Sequence, residues 1–193
     1  MRIDMRHNKG FSLIEVMVTL VLTTIGILGM VAMQGRSIQY TQDSVQRNTA
    51  IMLASDLVEI MRANPGEIFT KVPPADPVYS GLKKDSLFYK KPKSSFESAP
   101  AACDANPNTA IEMRDCWVES VEASLPGAEA LLESAFHICR SSAPSDKDEK
   151  EPNCDDKGSM LEIQLAWTVK DGACPDERAP NSTTCIYRTR VEL

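Results

Sequence analysis

The chain has 193 residues, a length that suits one domain plus an appendage. Its formal charge of −6 and sequence pI near 5.0 argue against a general DNA-binding surface. A hydrophobic content of 42% allows only a modest core.

The first ten residues form a basic leader carrying Arg2, Arg6 and Lys9 ahead of an apolar run. An ordinary secretory signal has its small-residue cleavage site after the apolar stretch. Here the small residue, Gly10, comes before it. A cut after Gly10 would remove three basic residues and one acidic residue, taking the charge from −6 to −8, and would leave the apolar segment on the mature chain. Phe11 to Gln34 is about 24 residues, or about 36 Å of helix, enough to span a bilayer. The positive-inside rule keeps the leader in the cytoplasm and sends the remainder across.

Glu15 lies inside that segment, where a carboxylate costs several kcal/mol. A plain signal anchor with a chance acid is one reading. The other follows from the cut: a new amino group on Phe11 lies four residues before Glu15. An unpaired charge in a low-dielectric setting is penalised far more than a paired one. Glu15 then registers a subunit where a neighbour offers its amine.

Lys9-Gly10, followed by Phe11-Ser12-Leu13-Ile14-Glu15 and a long apolar run, resembles the class III signal of type IV pilins and pseudopilins. The resemblance implies a prepilin peptidase that cuts between Gly10 and Phe11 and N-methylates Phe11. Residues 1–10 would be the leader and 11–34 the transmembrane part of an N-terminal helix.

From Gln34 the sequence turns amphipathic. Ala50, Ile51, Ala54, Leu57, Val58 and Met61 recur at three- and four-residue steps, with Asp43, Arg47, Asp56, Glu59 and Arg62 mostly opposite. The helix is expected to end at Ala63, because Asn64 precedes Pro65. Residues 35–64 form this half, and the whole helix from Phe11 is about 80 Å long. Gly26 and Gly29 either loosen the apolar half or permit close helix packing. The stretch Ala50 to Pro65, with "IGILGMVAMQ" before it, resembles a minor-pilin family, the type IV pilus modification protein PilV. Major pilins usually carry a proline in the apolar helix, and this chain has none there.

Residues 65–193 read as a disulfide-stapled α+β domain. All twelve prolines lie at or after Pro65, which fits one long helix followed by turn-rich structure. Gly66 to Pro107 is a long connection containing "LKKDSLFYKKPK", read as a solvated basic loop packed by Leu87 and Phe88. Thr109 to Leu125 is expected to be a helix ended by Pro126-Gly127. Strands are expected over Leu131–Arg140, Met160–Val169 and from Cys185 to the C-terminus. Antiparallel strands against the long helix would bury both apolar faces. A charged loop, Ser141 to Gly158, joins the first two strands.

An even cysteine count behind an apolar segment points to disulfides outside the cytoplasm. Locality favours Cys103 with Cys116, Cys139 with Cys154, and Cys174 with Cys185, out of fifteen connectivities. Zinc is a poor alternative, with no CxxC pair and only His137 in this region. Asp146, Asp148, Asp155 and Asp156 lack the EF-hand glycine and terminal glutamate. No phosphate loop, GxSxG or metal-ligand array is present, so no enzyme and no cofactor are expected.

The resemblance implies a minor pilin that joins or primes a type IV pilus and supports its assembly, adhesion or twitching. The implied partners are other minor pilins and the major pilin through their N-terminal helices, the prepilin peptidase, the inner-membrane assembly platform and a tip adhesin, with no nucleic acid. The implied location is the bacterial inner membrane, single-pass with the C-terminal domain periplasmic, and then the pilus. A minor pseudopilin of type II secretion uses the same helix. A membrane-tethered periplasmic enzyme or binding protein is the alternative of another class.

Overall fold

A computed structural model describes residues 10–72, 81–143, 152–174 and 176–193. Residues 1–9 of the leader, 73–80 of the long connection, 144–151 of the charged loop, with Asp146 and Asp148, and Pro175 lie outside the described residues. The chain divides into two compact units, one ending at Gln42 and the other beginning at Asp43. In chain order the elements are α1 Leu13–Ala63, α2 Pro65–Ile68, α3 Ala110–Ser124, α4 Ala128–Ala135, β1 His137–Ser141, β2 Met160–Thr168 and β3 Thr184–Glu192.

The first unit holds the apolar part of α1, which runs unbroken through Gly26 and Gly29. An 18-residue window of the helix has a mean hydropathy of 2.3 and none of it is buried, a length and composition suited to crossing a membrane.

In the second unit α1 buries Ala50, Leu53, Ala54, Leu57, Val58 and Met61. This is the expected face with one change. Ile51 is 38% exposed, and Leu53 takes its place. At about 100° per residue Leu53 lies about 60° to one side of Ala50, next to Leu57, whereas Ile51 lies about 100° to the other side and starts the outward flank. The sheet is antiparallel in the order β1-β2-β3, with Ile163 opposite Ile138 on one side and Thr189 on the other. Alternation puts Leu161, Ile163, Leu165 and Trp167 on one face, together with Tyr187, Thr189 and Val191 of β3. Ala54 and Val58 of α1 line one groove with those three β3 residues, so α1 lies over this face. The architecture is α+β: the long N-terminal helix packs on a small antiparallel sheet.

The opposite face is also covered, and β2 is buried over seven consecutive residues. Glu162 and Gln164 are therefore interior, against the usual preference of such residues. The strand expected over Leu131–Arg140 begins only at His137. Ala128 to Ala135 is helical instead, consistent with its alanine, leucine and glutamate content, and Phe136 makes the change to extended backbone.

Helix α3 starts on a capping box: the Thr109 side chain accepts from the Glu112 amide, and the Glu112 side chain accepts from the Thr109 amide. Trp117 of α3 is buried and donates through Nε1 to the Leu53 carbonyl at 2.8 Å, fixing α3 to α1. Gly127 caps α4 in left-handed backbone (φ 68°), and any Cβ there would collide with Thr168. Arg114, fully buried, pairs with Asp115 and donates to the Leu87 carbonyl at 3.0 Å; Asp115 in turn accepts from the Ala101 amide at 3.0 Å. This pair straps the long connection onto α3. Three disulfides, Cys103–Cys116, Cys139–Cys154 and Cys174–Cys185, join all six cysteines.

Candidate functional site

The N-terminal motif lies at the start of α1. Gly10 has open space around the position a Cβ would occupy, and Phe11 is 84% exposed. The scissile position expected from sequence is thus sterically accessible, in non-helical chain just before the helix begins at Leu13. Ser12 starts the helical ladder, its carbonyl accepting from the amides of Glu15 (3.0 Å) and Val16 (3.3 Å). Glu15 is the acidic residue of the first turn, where unpaired amides and the helix dipole favour negative charge.

Polar groups deeper in the apolar stretch are satisfied internally. The hydroxyls of Thr19, Thr23 and Thr24 donate to the carbonyls of Val16, Leu20 and Val21 at 2.8–2.9 Å. Such bonds let a hydroxyl sit in hydrocarbon at small cost. Glu15 is the only ionisable side chain between Phe11 and Gly35. A carboxylate cannot bond to a carbonyl as the hydroxyls do, and the first-turn position is its local compensation.

The expected site residues thus fall into two sets. Gly10, Phe11 and Glu15 lie close together along the chain in the first unit, and the cysteines lie in the second. Each bridge closes a short segment, with sequence separations of 13, 15 and 11 residues. Cys103–Cys116 ties the long connection to α3, Cys139–Cys154 ties β1 to the far end of the charged loop, and Cys174–Cys185 closes the loop into β3. His137, Cys139 and Cys154 have potential ligand atoms close together, but both sulfurs are held in the disulfide. Of the four aspartates considered for calcium, the two described are engaged. Asp155 accepts from the Ser142 side chain and from the amides of Ser142 and Lys157, and Asp156 pairs with Lys91.

Two buried polar features were not expected from sequence. Lys90, in the cluster read as a solvated loop, is only 2% exposed. Its backbone bridges to Ile138 of β1, and its ammonium donates to the carbonyls of Phe136 (2.9 Å) and Glu133 (3.2 Å). These carbonyls end α4, where a cation is favoured. Burial pulls the Lys90 pKa down to about 8, partly opposed by Glu133. The apolar neighbours Leu87 and Phe88 give a hint in sequence that this stretch turns inward.

The second feature lies on the sheet face away from α1. His137 Nε2 is 3.1 Å from Glu162 Oε1, and Arg188 Nε lies 3.6 Å from the same oxygen while donating to Gln164 Oε1 at 2.7 Å. Gln164 Nε2 donates to the Ala135 carbonyl at 2.6 Å. Burial holds the His137 pKa below its ordinary value, against the pull of Glu162. Neutral His137 then donates one N–H to the carboxylate, and Arg188 balances its charge. The network is a satisfied interior one, and polar residues at alternate positions of β1, β2 and β3 are its trace in sequence.

Two family models match adjoining parts of the chain. Residues 5–31 match the prokaryotic N-terminal methylation motif, and residues 32–72 match type IV pilin Tt1218. The disulfide-bearing region lies beyond both matches. No curated protein and no solved structure matches the chain.

Proposed function

Taking the chain as type IV pilin-like, we propose that it is a minor pilin that enters or primes a type IV pilus. The observation that carries this reading is the order of chemistry along the N-terminus: a basic leader, Gly10, Phe11, and Glu15 as the only charge in an otherwise self-satisfied apolar helix. A structural role rather than a catalytic one accords with pilin-like character.

In this reading the prepilin peptidase removes residues 1–10 and methylates the new amino group of Phe11. Residues 11–34 anchor the subunit in the inner membrane, with 35–64 continuing the helix and 65–193 on the periplasmic side. At assembly the Glu15 carboxylate pairs with the terminal amine of a neighbouring subunit, which stabilises both charges away from water. The assembly platform, the major pilin and other minor pilins are the partners, with a tip adhesin above them. The PilV-like sequence Ala50 to Pro65 supports a minor rather than a major subunit.

Glu15→Ala tests the role of the acid. It removes a charge from hydrocarbon, so the level in membranes holds or rises, while incorporation into sheared pili falls. Unchanged incorporation would refute the registration role. Quantitative mass spectrometry of sheared fibres tests the minor status: stoichiometry comparable with the main subunit would overturn it. Recovery only in a secretion pseudopilus would favour the type II secretion alternative.

A further inference from the structure

The two outer edges of the sheet differ. At β1 the edge is closed. The Lys90 amide donates to the Ile138 carbonyl at 2.9 Å, the Ile138 amide donates to the Lys90 carbonyl at 2.8 Å, and all five strand residues are buried. At β3 no strand pairs on the outer side among the described residues. Tyr187 to Val191 are only half-buried. Arg188 shows what is exposed there: its side chain is 3% exposed while the residue as a whole is half-buried, so its backbone meets solvent. In an antiparallel edge strand alternate residues turn their N–H and C=O groups outward.

Edges of this kind are usually guarded by proline, lysine, a bulge or an outward charge. Strand β3 has no proline or lysine, and its nine residues pair with β2 without a bulge. Its two arginines are drawn back over the sheet. Arg188 donates to Gln164 Oε1 at 2.7 Å, and Arg190 Nη2 reaches past β2 to the Ser141 carbonyl of β1 at 3.0 Å. Alongside the edge runs a groove of about 180 Å³, with Ala54, Ser55 and Val58 of α1 on one side and Tyr187, Thr189 and Val191 on the other.

We propose that the open edge of β3 takes up an extended segment of another protein as an added strand, one in which branched aliphatic residues alternate with acidic ones. The alternation follows from the two faces of β3. On the α1 side the added residues meet Tyr187, Thr189 and Val191 and enter the groove, which suits aliphatic side chains. On the other side the register sets the charge. Strand β2 places Glu162 opposite Arg190 and Gln164 opposite Arg188. A strand on the open side stands opposite the same arginines, and carboxylates there complement them as Glu162 does. A second copy of this chain fits less well. Asp43 lies 3.9 Å from the Cys185 sulfur and Arg62 reaches the Glu192 carbonyl at 3.4 Å, so α1 and β3 run in the same direction. Two β3 strands paired antiparallel would point their helices in opposite directions, which two chains anchored in one membrane, as proposed above, do not do. Paired parallel and in register, they would set arginine beside arginine. The surface lies within the second unit, so this binding and the Glu15 role can each fail without the other.

The test is an NMR titration of the full chain in detergent micelles with the peptide acetyl-Thr-Val-Glu-Val-Glu-Val-Thr-amide, and with its counterpart carrying lysine for glutamate. The glutamate peptide is expected to give saturable shifts at β3 amides and slower hydrogen exchange at alternate residues from Tyr187 to Val191. A dissociation constant of about 1 mM is expected for a short flexible strand. The lysine peptide is expected to bind about tenfold more weakly, and Arg190→Glu should reverse that preference. Ser55→Trp puts an indole into the groove from an exposed helix position. It should weaken binding by about tenfold while leaving the unfolding midpoint unchanged. No saturable shift, shifts centred away from β3, equal affinity for the lysine peptide, or undiminished affinity in the folded Ser55→Trp chain would each overturn the proposal. So would protection of the same β3 amides by raising the protein concentration alone, which would make a second copy the occupant.

Discussion

Replacing Lys90 by methionine isolates one buried charge. Methionine keeps the length of the stem and removes the ammonium that caps α4. In the folded chain burial lowers the Lys90 pKa to about 8, against 10.5 for an ordinary lysine. The sign follows from proton counting. Between those two values the unfolded chain binds the proton and the folded chain does not, so stability rises with pH across that window. Between pH 7 and about pH 9.5 the two values give a gain of about 2 kcal/mol for the wild type. The neutral amine still donates to Glu133 and Phe136, so the cap survives deprotonation. In Lys90→Met this contribution is absent. Denaturant unfolding of both full-length proteins in the same detergent, at pH 7 and about pH 9.5, reads the difference between their pH slopes and cancels titrations they share. Parallel slopes would refute the argument and return Lys90 to solvent.

Three further outcomes are expected. Gly10→Val puts a side chain at the scissile bond, and the precursor should remain full-length in membrane fractions by immunoblot; normal maturation would remove the peptidase reading. The lowered pKa of His137 keeps it neutral when folded, so stability falls as the pH drops below the unfolded value of about 6.5. His137→Gln keeps a donor for Glu162 and should flatten that acid-side loss in unfolding curves. Replacing Cys174 and Cys185 together by serine opens a loop with a separation of 11 residues and should cost about 3 kcal/mol in denaturant unfolding, leaving the other two pairs intact by peptide mapping.

What could be read from sequence follows the range of the interactions involved. Helix α1 declares itself through an uninterrupted apolar run, a three-four spacing and the Asn64-Pro65 stop, all local signals. Its end at Ala63 matches the expected boundary. Strands β2 and β3 declare themselves by alternation. The segment Leu131–Arg140 misleads because a short apolar run suits either helix or strand, and here Leu131 to Ala135 completes α4. Lys90 misleadingly reads as a solvated residue because its burial is decided by a partner 46 residues away, the Phe136 carbonyl. Ile51 fails for a smaller reason, one step of helical rotation. The N-terminal motif is legible because residues 10–15 carry their chemistry in order.

The cysteines pair in the order in which they occur: first with second, third with fourth, fifth with sixth. A domain that follows a retained N-terminal anchor into an oxidising compartment, its anchor-proximal residues crossing first, would have each partner arrive before the next pair begins. Oxidation keeping pace with export then reaches the native set directly, although six thiols released together could combine in fifteen ways. No bridge crosses from α1 to the sheet, so covalent closure can finish while the long helix is still free to settle onto its Trp117 and β3 contacts. Slowing export relative to oxidation would do no harm to such a chain, whereas reducing it fully and reoxidising it all at once would expose it to mispairing.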